Sequence, residues 1–111
     1  MARTQWHILK EDDALIVARR VPVRFDLAVE TRLVARRKLR LAHQVRQDVW
    51  RALQGLRGFA PAVRIVAEGD ALKVTAGGQV DGRFARAAAQ ARIRDVLEHP
   101  ANRARWQRCA A

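Results

Sequence analysis

Arginine is the residue type with the most chemistry to offer in this chain. Its planar fork of donors matches phosphate and carboxylate groups, and it stays charged at any physiological pH. The 111-residue sequence carries 22 basic and 11 acidic residues, a net charge of +11, and only Lys10, Lys38 and Lys73 are lysines. Arginine over lysine fits either phosphate recognition or a GC-rich, alanine-rich coding bias. Such a bias does not account for the net charge, because it supplies acidic residues too. The charge is also unevenly placed. Residues 1–31 balance at five basic and five acidic, and residues 59–82 carry two and three. Residues 32–58 carry eight and one, and residues 83–111 carry seven and two.

The spacing within 32–58 is helical. Leu41, Val45, Val49, Ala52, Leu53 and Leu56 recur at steps of three and four, which makes one apolar stripe. A helix is expected over 33–57, ended by Gly55 and Gly58 with Pro61 beyond. At about 100° per residue, the side opposite the stripe carries Arg36, Arg40, His43, Arg46, Gln47, Trp50, Arg51, Gln54 and Arg57, with Arg37 adjoining. Asp48 is the single acid between Arg32 and Gly58, and it falls on the flank of the stripe. Like charges at i,i+4, such as Arg36 and Arg40, weaken a helix, so this face gains from a partner that neutralises it. Trp50 sits among these arginines. It is either packed under a neighbouring element or free to stack on a base or anchor a protein.

A second helix is expected over 83–98. Arg83, Arg86, Gln90 and Arg94 share one side, and Ala85, Ala89, Ile93, Val96 and Leu97 form the buried one. The run Ala85, Ala87, Ala88, Ala89 and Ala91 is small enough for close packing on the first helix or on a second copy of the chain, and it also suits plain helix propensity. Arg103, Arg105, Trp106 and Arg108 carry the basic character into residues 100–111, expected as a short helical turn and a mobile tail.

Other chemistry is poorly supplied. The sequence has no serine, and Cys109 lies two residues from the end, a poor place for a preorganised nucleophile. His7, His43 and His99 have no Cys or His at ligand spacing, so no metal site is expected. Glu11, Asp12 and Asp13 read as a turn. Gly77-Gly78-Gln79-Val80-Asp81-Gly82 precedes a helix, but its spacing fits neither a Walker loop nor a dinucleotide fingerprint, and a plain strand-to-helix loop is expected. No catalysis and no cofactor are expected.

The elements that must position these residues are mostly strands. Val63, Ile65 and Ala67 alternate with Arg64 and Val66, Glu68-Gly69-Asp70 turns, and Leu72, Val74 and Ala76 alternate with Lys73 and Thr75. That is a hairpin. Val23, Phe25, Leu27, Val29 and Thr31 alternate in a half-buried strand after Pro22. Trp6–Leu9 and Ala14–Ala18 are expected as two further strands. The fold class is α+β, in one domain over 1–111. A small antiparallel sheet, made of N-terminal strands plus the central hairpin, packs on one face against a long helix and a C-terminal helix, with a short terminal helical turn. The open sheet face is expected to show Arg24, Asp26, Glu30, Arg64, Val66, Lys73 and Thr75, without the aromatics of sheet-type RNA binders.

Together these features point to a non-catalytic nucleic-acid-binding protein, or an accessory subunit of a nucleic-acid-handling complex. It would contact phosphates through the helices at 33–57 and 83–98. The alternative is an adaptor, assembly factor or inhibitor that sets the same basic face against an acidic protein. No run of about 18 apolar residues exists, the N-terminal apolar stretch is too short for a secretory signal, and one cysteine fits a reducing cytoplasm. No membrane partner is expected. The loop motif of KH domains (GxxG between helices) is absent, and no family signature emerges.

Overall fold

Leu27, Val29, Thr31 and Leu33 alternate with Ala28, Glu30 and Arg32, and the chain is a strand over those seven residues, with the first set buried. The computed structural model describes residues 6–111; the first five, which begin the stretch weighed above as a leader, lie outside the described residues. The order is β1 (His7–Glu11), β2 (Ala14–Ala18), β3 (Leu27–Leu33), α1 (Lys38–Ala52), β4 (Phe59–Glu68), β5 (Ala71–Val80), α2 (Arg86–Glu98) and α3 (Pro100–Cys109). The sheet runs β1-β2-β4-β5-β3 with every neighbouring pair antiparallel. The chain is thus the α+β sheet-and-helix fold that the patterning implied.

Two tight turns set the register. Asp12 and Asp13 join β1 to β2, so Glu11 lies opposite Ala14 and His7 opposite Ala18. Gly69 and Asp70 join β4 to β5, with Gly69 at φ +58°, where a residue without Cβ is preferred. Leu41, Val45 and Val49 of α1 are fully buried against Val17, Val63, Ile65 and Val74 of the sheet. Each such side chain contributes roughly 1.5–3 kcal/mol by leaving water. α1 covers β2 and β4, and α2 covers β3 at the far edge through Ala89, Ile93 and Leu97.

Several boundaries differ from the pattern reading. The long helix is Lys38–Ala52 rather than 33–57, because the β3 alternation continues through Leu33. Arg36 and Arg37 therefore precede the helix, and Gln54 and Arg57 follow it. The second helix is Arg86–Glu98, which leaves Arg83 in the preceding loop. The expected terminal turn is a ten-residue helix, capped by His99, whose ring nitrogen accepts from the Ala101 amide. Of the alanine run, only Ala89 is buried, so the run does not pack on α1 as a whole.

The strand expected from Val23 begins only at Leu27. Val23 and Phe25 instead fold over the sheet face away from the helices, against Ile16, Ala18 and Ala62. Phe25 is therefore an aromatic on that face, as a cover rather than a display. The glycine-rich stretch is strand up to Val80, not loop. A Cβ on Gly77 would stand 1.8 Å from the Leu27 carbonyl oxygen, and one on Gly78, at φ +143°, 2.1 Å from that of Ala60. These glycines let backbones approach; they do not form a phosphate cradle.

Candidate functional site

The face of α1 opposite its stripe is not one surface. Setting Leu41 at zero and stepping about 100° per residue puts Arg46, Leu39, Trp50 and His43 between about 140° and 200°, and Gln44 and Asp48 at about 300–340°. Arg40, Gln47 and Arg51 fall between these two flanks, and all three are exposed. The first flank looks toward β1 and β2. The second is covered by α3.

On the first flank a cleft of about 620 Å³ opens between α1 and the β1–β2 hairpin. Trp6, Arg19, Arg20, Arg46, Trp50, Phe59, Ala60 and Pro61 line it. The hairpin register supplies two of these. His7 faces Ala18, so Trp6 and Arg19 come next to each other at the open end of the strands. Gly58, at φ +72°, turns the chain from α1 into β4; a Cβ there would stand 2.7 Å from the Asp81 carbonyl oxygen. Phe59 to Pro61 then enter the cleft at the start of β4.

Charge and aromatic surface are interleaved here. The Arg46 guanidinium stacks over the Trp6 ring at 4.2 Å from its centre, and Arg19 lies 5.9 Å from the same centre. Two cations share one indole, an arrangement favoured by the ring's negative face and opposed by their mutual repulsion. Partial burial, then the charge of Arg19, hold Arg46 below the ordinary arginine range. Arg46 Nε donates to His43 Nδ1 at 3.3 Å. Burial first, and the Arg46 charge second, hold the His43 imidazole below its ordinary value of 6.5. Trp50 is 45% exposed, so its indole is presented rather than packed away. Among the described lining arginines, Arg20 alone has an acidic partner, Asp81 at 2.8 Å. Hydrogen bonds from Gln79 and then Arg20 hold that carboxyl below its usual range.

The sequence-predicted residues divide into groups. Arg46 and Trp50 meet in the cleft, with His43 behind Arg46. His43 also borders a shallow neighbouring surface with Arg37 and Arg40. Arg36 and Arg37 donate their backbone amides to the Ala110 carbonyl at 2.9 and 3.0 Å, which docks the chain end while both side chains stay exposed. Gln47, Gln54 and Arg57 are exposed. Arg51 lies 3.6 Å from Asp48 and is therefore partly neutralised. The second set does not join the cleft, because α2 packs on β3, at the opposite edge from β1. Within it, Arg83, Arg86 and Arg94 are all exposed, and Arg86 donates to the Asp26 backbone carbonyl and lies over Phe84.

Arg103 and Arg105 of α3 are structural, whereas Arg108 is exposed. Arg105 pairs with Asp48 at 2.7 Å, and the fully buried Trp106 donates its indole N–H to the same carboxylate at 2.7 Å. Arg103 donates to Thr31 and to the backbone carbonyls of Leu97 and Arg32. Trp6, Arg19, Arg20, Phe59 and Pro61 belong to the cleft although the helix pattern gave no hint of them. One signal was available. A two-residue turn at Asp12-Asp13 fixes the pairing, and the pairing brings Trp6 beside Arg19.

Among the described residues, no group of three or more His, Cys, Asp or Glu side chains is placed to share a metal ion, and no helix is long and apolar enough to cross a membrane. No protein family, curated protein or solved structure shows a significant match to this chain.

Proposed function

We propose that this protein binds nucleic acid without catalysing a reaction on it, alone or as an accessory subunit in the cytoplasm. One observation carries the proposal: among the described residues, three arginines and three aromatic rings line a single cleft that no carboxylate lines. Guanidinium groups recognise phosphate, aromatic faces recognise bases, and nucleic acid presents both at short spacing. Arg36, Arg37, Arg40 and Arg57 add exposed charge at and beyond the ends of α1, outside the cleft itself, and charge of this kind steers a polyanion toward a site. The relocation of Arg103 and Arg105 to structural roles removes them from the proposed interface, and Arg51 has a reduced part in it.

Fluorescence anisotropy with a labelled random-sequence oligonucleotide tests this, with a labelled polyglutamate of similar charge as the control. Tight binding of the oligonucleotide and weak binding of the peptide at low salt are expected. Equal binding of both reduces the site to an unselective basic patch and favours an acidic protein partner. Binding of neither contradicts the proposal.

A further inference from the structure

From the proposed nucleic-acid reading, on which it rests, we infer that the cleft is a pocket for one unpaired nucleotide, so that the protein prefers single strands to duplex. The base would stack on Trp50, and the phosphate would lie between Arg19 and Arg46. The cleft holds about 620 Å³, within the roughly 300–1,000 Å³ range of small-ligand sites. That is room for a nucleotide and far less than a double helix requires.

Three further features point the same way. First, the rings stand in a concave site, with Trp6 and Phe59 partly packed against the core and Trp50 presented to solvent. A duplex keeps the faces of its bases stacked inside and reaches a protein with phosphates and base edges. Rings in a cleft are therefore of use to an extruded or unpaired base. Second, Arg46 is held in place before any ligand arrives, by the Trp6 ring on its face and His43 at its Nε. Arg19 approaches the same ring from another side. Neither has an acidic partner within salt-bridge distance among the described residues. Two neighbouring cations without a counter-charge repel each other, and a phosphate between them removes that cost. Third, the floor at Ala60 and Pro61 is uncharged and belongs to the sheet, so the pocket rests on rigid backbone rather than on a loop.

The contrast with the rest of the surface is one of kind. The exposed arginines of α1 offer charge alone, which serves single and double strands alike. Only the cleft distinguishes them.

Substitution of Trp50 provides the test, because its exposure makes a change there tolerable to the fold; thermal melts of each variant check this. The probes are dT and rU single strands of about 12 nucleotides, within the length range of single-strand sites, and a random duplex of equal length. Trp50→Ala is expected to weaken single-strand binding about tenfold or more, from the value of one base–aromatic stack. Trp50→Phe is expected to retain most of the affinity, and duplex binding is expected to stay unchanged in both variants. Tryptophan fluorescence should be quenched by dT or rU in the wild-type protein and much less in Trp50→Phe. A Trp50→Ala protein that binds single strands as well as wild type, or loses single strand and duplex equally, overturns the pocket and leaves nucleic-acid binding standing. Wild-type protein that binds neither strand form removes both.

Discussion

At the residue scale, position on α1 decides role more than residue type does. Asp48 and Arg46 are two residues apart, yet one anchors α3 and the other stacks on Trp6. His43 is the side chain whose protonation reports on the cleft. Its folded pKa lies below 6.5, for burial first and the Arg46 charge second. In the unfolded chain the ring takes up its proton near the ordinary value; in the folded chain it does so at lower pH. Its contribution to stability is therefore fully present above about pH 6.5 and is lost as pH falls through the lower, folded pKa. Bound polyanion favours the protonated ring, so affinity for nucleic acid is expected to rise over the same interval. His43→Gln should flatten both trends. Thermal melts and binding isotherms between about pH 8 and 5.5 check this, and a variant with both slopes intact would sink it. From sequence, His43, Arg46 and Trp50 were legible as one basic face. Their separation from Gln44 and Asp48 was not, because it depends on where α3 lands.

At the element scale, α3 is the largest departure from the pattern. Its sequence, Pro100-Ala-Asn-Arg-Ala-Arg-Trp-Gln-Arg-Cys109, shows no apolar stripe, and a short turn was the natural expectation. One residue replaces the stripe. Trp106 is fully buried, and its N–H is satisfied by Asp48, whose side chain is only 12% exposed and also holds Arg105. A single large side chain with a buried polar partner docks this helix, an arrangement periodicity cannot reveal. Trp106→Ala should cost about 3–5 kcal/mol, a large part of the total for a domain of this size. Chemical denaturation measures it, and a loss below about 1 kcal/mol would mean α3 is not held this way. The strands, by contrast, were legible in number and in buried face, although their ends were not: β3 starts at Leu27 rather than Val23, and β5 runs on through the glycines to Val80. Leu72, Val74 and Ala76 face the helices as their alternation indicated. The N-terminal hairpin was legible as two strands and a turn, but its share in the site was not. Trp6 and Arg19 are well separated in sequence, and the register of the hairpin makes them neighbours.

At the scale of the whole molecule, the charge of +11 divides into two kinds. Some arginines are already partnered within the chain: Arg103 and Arg105 fasten α3, and at the surface Arg32 pairs with Glu68 and Arg24 with Asp26. Among the described residues, others stand without an acidic partner; of these Arg19 and Arg46 meet in the cleft, and Arg37 and Arg40 border a separate shallow surface. Net charge alone could not separate the two kinds, since pairing depends on tertiary neighbours. Fold class was legible from patterning, and the existence of a basic surface from composition. The cleft itself arises where a helix flank, a hairpin end and the start of β4 converge, and no single stretch of sequence encodes it.

The salt dependence of nucleic-acid affinity tests the central claim most directly. Phosphate binding releases condensed counterions, so about five contacts on a single strand, at roughly 0.7 ion each, give a slope of log Kd against log salt on the order of 3 to 4. Arg19→Gln should lower that slope by somewhat less than about 1, the share of one contact. An affinity that stays flat across salt, or no binding even at about 50 mM salt, would contradict nucleic-acid binding by this protein.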